Sequence, residues 1–179
     1  MPRWPTVKTK TATASKVIPA EGAQMCAFFL RYTAMMGKTD FNLDRFVAAQ
    51  APVYESALHE LKAGRKQGHW MWFIFPQLRG LGHSSMAKLF GLASLEHAQQ
   101  YLAHETLGPR LVACTEAVID VDASSLLAIF GSPDDLKFRS SMTLFHLTSN
   151  SSNPIFMGAL DRWCQGQLDE RTIELLRGS

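Results

Sequence analysis

Much of what would announce a function is missing from this chain of 179 residues. It has three cysteines, Cys26, Cys114 and Cys164, far apart and without CxxC spacing, so neither a disulfide framework nor a zinc-binding motif is expected. A reducing, cytoplasmic setting fits that usage best. No apolar run approaches the roughly 18 to 20 residues of a membrane-spanning helix, and the longest candidate, QMCAFFLRYTAMM, is interrupted by Arg31. Internal repeats and heptads are lacking. No nucleotide-loop motif is present either, because the glycines of RGLGHSS form neither GxGxxG nor a Walker loop and stand in no βαβ context. No cofactor and no metal are implied.

Charge is the second scarcity. Residues 1–38 carry six Lys or Arg against Glu21 alone, leaving twelve basic and fifteen acidic residues downstream, so the body is near −3 and the leading segment near +5. A body of that sign argues against general nucleic-acid binding. The leading segment is read as a disordered tail or as translation from upstream of a true start at Met35 or Met36, with a transit segment as the weaker alternative. Residues 39–179 form the expected single domain.

What is present is helical patterning. From Asn42 the apolar positions Leu43, Phe46, Val47, Val53, Tyr54, Ala57, Leu58 and Leu61 predict two helices, with Pro52 suited to the first turn of the second and Gly64 to its C-terminal cap. Ser84 or Ser85, Ser94, Pro109, Asp122 and Asn153-Pro154 mark further starts. In SPDDLKF, Ser132 is the expected N-cap and Pro133 the N1 residue, with Asp134 and Asp135 where the helix dipole favours acid. The result is an all-α domain of about eight helices with at most one or two short strands. The stretch WMWFIF is expected to be extended and stopped by Pro76. Trp70, Trp72 and Ile74 would then face one way and Met71, Phe73 and Phe75 the other, one face core and one available to a pocket.

The sharpest local bias lies between Glu60 and Glu96, where no acid occurs while Lys62, Arg65, Lys66, Arg79, Lys88, His69 and His83 do. Cations near a glycine turn that feeds a helix N-terminus are a recipe for holding phosphate or carboxylate. In this reading Arg65, Lys66 and Arg79 hold charge, and Gly80 and Gly82 allow close backbone approach. Trp70 or Trp72 stacks on a flat ring, and Gln77 fixes orientation. His69 or His83, titrating near neutrality, moves a proton. Against it stand plainer readings: glycines that satisfy a turn, aromatics that fill a core, and histidines on the surface. In KFRSSMTLF, Lys137 and Ser141 lie one helical turn apart and either point at the same ligand or serve close helix packing.

The segment from Asn42 through Leu111 and the segment IFGSPDDLKFRSSMTLF together resemble the DUF1810 family, small bacterial and fungal proteins of unknown function sometimes labelled calpastatin. The aromatic-Phe-Pro-Gln-Leu, Leu-Gly-Pro-Arg-Leu and Ser-Ser-Met-Thr-Leu-Phe segments carry the resemblance, over about residues 40–177. It implies a compact helical domain and brings no activity and no catalytic residues. The calpastatin label is at odds with the residues, since such an inhibitor is an extended disordered chain and this one has apolar spacing enough to fold alone.

Two functions follow as expectations. One is the binding of a small anionic, nucleotide-derived ligand such as one carrying ADP-ribose, with hydrolysis or transfer as a further step. The other is a non-catalytic protein-interaction module using the same aromatic and basic surface. If Trp70 and Trp72 are buried and no hollow meets Arg79 and Lys137, the ligand reading weakens.

Overall fold

A computed structural model describes residues 42–150 and 152–178. The expectations for the basic leading segment lie outside the described residues. The described chain forms ten helices. They are α1 (Asp44–Gln50), α2 (Tyr54–Lys62), α3 (Met71–Ile74), α4 (Ser85–Phe90), α5 (Leu95–Ala103), α6 (Leu107–Asp120), α7 (Leu126–Phe130), α8 (Asp134–Thr148), α9 (Ile155–Cys164) and α10 (Glu170–Arg177). Among the described residues there is no sheet. The one extended pairing is an isolated parallel bridge between Leu78 and Leu92. None of these helices is long and apolar enough to cross a membrane.

Local chemistry accounts for most boundaries. Ser84, Ser94, Ser125 and Asp169 each turn a side-chain oxygen toward an N–H of the first turn of α4, α5, α7 and α10. Gly64, at φ +69°, closes α2: its N–H donates to Leu61 O and that of Arg65 to Glu60 O, a Schellman arrangement. Three expected starts move. Pro52 lies before α2, whose N-cap is Val53, rather than in its first turn. α7 is capped by Ser125 and not opened at Asp122. At α8 the residue before the helix is Pro133, and Ser132 does not cap it; the first turn closes instead through Asp135 N–H to Gly131 O at 3.0 Å.

The larger correction concerns WMWFIF, which is a single helical turn rather than an extended segment. Phe73 and Ile74 donate to Trp70 O, and Phe75 donates to Met71 O. A buried strand would need neighbours for its N–H and C=O groups, and an otherwise helical chain offers none, so the turn satisfies its own backbone. The expected alternation of faces is lost with it. Trp70, Met71, Phe73, Ile74 and Phe75 are all at most 2% exposed, and Trp72 alone remains half-buried. This turn also takes the helix count above eight.

Around α3 the rings fall into two sets. Phe73 meets Phe90, which meets Phe46, which meets Tyr101, with centroids 5.1–5.3 Å apart. On the other side Phe75 meets Phe138 at 5.0 Å and Phe130 at 6.0 Å, with Trp70 behind them. α8 is the central helix, packed against α5, α7, α9 and α10. Its small polar residues answer the packing reading: Ser140, Ser141 and Thr143 are buried, and their hydroxyls donate to Leu136 O, Pro76 O and Arg139 O.

Candidate functional site

The residues singled out in the sequence separate into two groups, and no hydrogen bond or ring contact among the described residues joins them. The first gathers where α8 begins. Lys66 Nζ lies 2.8 Å from Asp134 Oδ2 and donates to Gly68 O at 2.7 Å, while Lys137 Nζ lies 2.6 Å from Asp134 Oδ1. Burial pushes the Asp134 carboxyl up, but the hydrogen bonds and charges of Lys137 and Lys66 outweigh it and hold it below its usual value. Glu60 Oε2 accepts from Gln67 N, Gly68 N and Trp70 Nε1 at 2.7–2.9 Å. Both lysines of this group are therefore held by the one carboxylate of Asp134.

Its aromatics are also committed. Trp70 is buried, with the Lys66 ammonium 5.2 Å from its ring centroid. Trp72 carries the Lys137 ammonium over its face at 4.9 Å. Trp70 thus offers no open face for a ligand to stack on, and Trp72 has one face taken. Ser141 is fully buried and spends its hydroxyl on Pro76 O, so it and Lys137 do not point at a common ligand. Arg65 is exposed.

The second group lies beside the Leu78 and Leu92 bridge. Arg79 N–H donates to Leu92 O at 2.8 Å and Leu92 N–H to Gln77 O at 3.0 Å, which fixes the stretch alongside the residues leading into α5. Gln77 Oε1 is buried and accepts no hydrogen bond from a described residue. Arg79 is exposed, with Nη2 3.5 Å from Gly91 O. Gly80 takes φ +103°, and a Cβ on Gly82 would stand 2.6 Å from Ala87 Cβ, so the turn needs both glycines on conformational and packing grounds alone. His69 and His83 are exposed, and no described residue holds either ring by a hydrogen bond.

Two residues not selected from the sequence complete this group. Arg45 on α1 is only 6% exposed, its guanidinium 4.8 Å from the Phe46 ring centroid. Phe46 packs edge-on against Tyr101 of α5, and His97 lies one turn before Tyr101 on the same helical face. Burial first, then the charges of Arg45 and Arg79, lower the pKa of His97, which keeps its imidazole neutral near pH 7. No local signal marks either residue: Arg45 falls between apolar positions of a short helix, and His97 reads as one polar residue on an exposed stretch. Their convergence depends on ring packing between segments more than fifty residues apart.

Two surface hollows, of about 380 and 280 Å³, lie elsewhere. The larger is bordered by α7, α8 and α9, the smaller by α2 and α6, and none of the twelve residues chosen from the sequence lines either. Among the described residues no three His, Cys, Asp or Glu side chains gather as a metal ion would need. Burial pushes the Cys114 thiol up to about 12, which leaves it a packing residue rather than a nucleophile.

Compared with proteins of known structure, the chain is similar to the conserved hypothetical protein Rv1873 from Mycobacterium tuberculosis. The two are 55% identical, with a TM-score of 0.75 over 76% of this chain and 97% of that one. No protein with a curated description matches. Residues 40–176 match the family described as "Protein of unknown function (DUF1810)". With more than half of its length matched and a helical domain of the expected kind, the chain belongs to the DUF1810 family.

Proposed function

We propose that this protein binds a small anionic ligand, a carboxylate or phosphate, at the group formed by Arg45, Arg79 and His97. The observation that carries the reading is a guanidinium buried to 6% exposure in company with a second arginine and a histidine. Two guanidiniums near a neutral imidazole offer an anion positive charge and several N–H donors in one place. Arginine forks also suit the planar oxygens of carboxylate and phosphate. The group at Asp134 supports the reading less well, because Lys66 and Lys137 already share the Asp134 carboxylate.

Within this proposal a nucleotide-derived ligand is one member of the anion class. The pyrophosphate of ADP-ribose would meet the two arginines, and hydrolysis or transfer would draw on neutral His97 as proton acceptor rather than on His69 or His83. A reducing cytoplasm, in which Cys114 and Cys164 remain the free thiols found here, is the proposed setting.

The test is a thermal-shift series on the full chain with inorganic phosphate, AMP, ADP and ADP-ribose. Ligand at a hundred times its Kd stabilises by about 2.7 kcal/mol, a shift of several degrees in Tm. The rise should disappear in Arg79→Ala and persist in Lys137→Ala. A flat series, or a rise retained in Arg79→Ala, would sink the proposal.

A further inference from the structure

The geometry points to a second, separate surface: the hollow between α7, α8 and α9 as a docking site for a partner-protein segment that carries apolar side chains next to a lysine or arginine. Leu127 and Leu136 are the two most exposed large hydrophobic residues among those described, at 56% and 61%, and both stand on the rim of this hollow. Trp163 and Cys164 form part of its wall. Scattered surface leucines need no explanation, but two of them stand on one hollow with an indole beside them, among polar side chains such as Gln165 and Gln167.

Charge selects the occupant. On this stretch of α8, Asp134 is matched by Lys66 and Lys137, and the Arg139 guanidinium donates to Gln167 O at 3.1 Å and Leu168 O at 2.7 Å. Asp135 also lines the hollow, yet its carboxylate forms no ion pair or hydrogen bond with a described residue, and its Oδ1 is buried. First-turn placement explains why an acid is tolerated there, but not why one of its oxygens is buried without a donor. A cation arriving with an apolar segment pairs with this carboxylate at its other oxygen, which is not buried.

The occupant is a chain segment rather than a small molecule, because a molecule held inside the hollow would leave the outward faces of Leu127 and Leu136 in water. The occupant is a different protein; a second copy, in which each Asp135 would meet the other's Arg139, is the outcome that the mass measurement below separates. This surface shares no residue with the anion site proposed above, so either can fail without the other.

The experiment uses the full chain and a synthetic amphipathic helix with one leucine face flanked by lysines, beside the same peptide with glutamates for lysines. Binding is followed by calorimetry, and the location by amide chemical-shift changes. The lysine peptide should bind with changes centred on residues 126–139 and 163–167. Asp135→Asn should weaken it about tenfold, the discrimination over the glutamate peptide should vanish in that variant, and Leu136→Ser should weaken both peptides. Both side chains line the hollow, and thermal melts confirm that the variants fold. Failure of both peptides to bind, or equal binding of the two to the unaltered protein, overturns the proposal. So does a doubling of mass in light scattering that Leu136→Ser abolishes, which would assign the patch to a second copy.

Discussion

The hydroxyl of Ser141 donates to the carbonyl of Pro76 at 2.8 Å, across 65 positions of sequence and inside the core. This bond ties the middle of α8 to the end of the aromatic turn, and it joins two of the three segments whose recurrence carries the family resemblance. Ser141→Ala leaves a buried carbonyl without its donor, a loss of about 1–3 kcal/mol. Urea unfolding should show a lower midpoint at unchanged m-value, and a midpoint within error of the unaltered protein would show that the bond is replaced by water.

Gln50 and Tyr101 form a comparable lock above the same turn. The Gln50 amide donates to Phe73 O at 2.8 Å and to the Tyr101 hydroxyl at 2.9 Å, Tyr101 donates to Phe73 O at 3.0 Å, and Arg110 reaches Gln50 Oε1 at 3.3 Å. Burial drives the Tyr101 phenol far above its usual value. Spectroscopic titration should therefore show one tyrosine that ionises only as the protein unfolds in alkali. Tyr101→Phe should remove that step and lower stability by about 1–2 kcal/mol.

Gly108 belongs to the Leu-Gly-Pro-Arg-Leu segment for a steric reason. A Cβ there would stand 2.0 Å from the carbonyl oxygen of Leu102, a backbone atom that cannot rotate away. Gly108→Ala should therefore force α5 and α6 apart and cost more than about 3 kcal/mol, in the range of severe overpacking. Circular dichroism melts measure it; a Tm change of only a degree or two would mean that the loop before α6 shifts freely.

Acid should attack the Asp134 cluster. Because the folded carboxyl titrates below its unfolded value of about 3.9, its contribution is complete above that pH and is lost as pH falls through the lower folded value. Asp134→Asn should lower stability at pH 7 by about 2 kcal/mol, the scale of hydrogen bonds to a charged group. It should also flatten the remaining dependence below about pH 4. An unchanged acid limb of the Tm profile would remove the cluster from the account.

His97 carries a linkage of the same sign, and one that a bound ligand should shift. Its folded pKa lies below the unfolded value of about 6.5, so the neutral ring favours the fold above that pH and the advantage is lost as pH falls toward the folded value. An anion seated beside Arg45 and Arg79 should raise this pKa, and so should Arg79→Ala, which removes one of the repelling charges. Imidazole NMR titration reads both shifts; a His97 resonance indifferent to Arg79→Ala would refute the grouping.

The helices and their ends were largely legible because their causes are local. Ser84 and Ser94 cap because a hydroxyl reaches the N–H groups of the next turn, and Gly64 closes α2 because it accepts a positive φ. WMWFIF was misread because an apolar run buried on every side has no periodicity, and only the absence of neighbouring strands decides between turn and extension. Trp70, Gly82 and Ser141 stand out in the sequence as candidate site residues, and in the fold they meet Glu60, Ala87 and Pro76.

By itself, then, the sequence determined an all-α domain, its helix termini and the family to which it belongs, since caps, breakers and 3.6-residue spacing act over a few positions. Only the tertiary structure decided which charged groups come together. Lys66 and Lys137 find Asp134 where the start of α8 approaches the stretch after α2, while Arg45 reaches the side of His97 through the contact of Phe46 with Tyr101. Charge balance at a site depends on distances of a few ångströms between remote segments, and no local pattern in the chain encodes those distances.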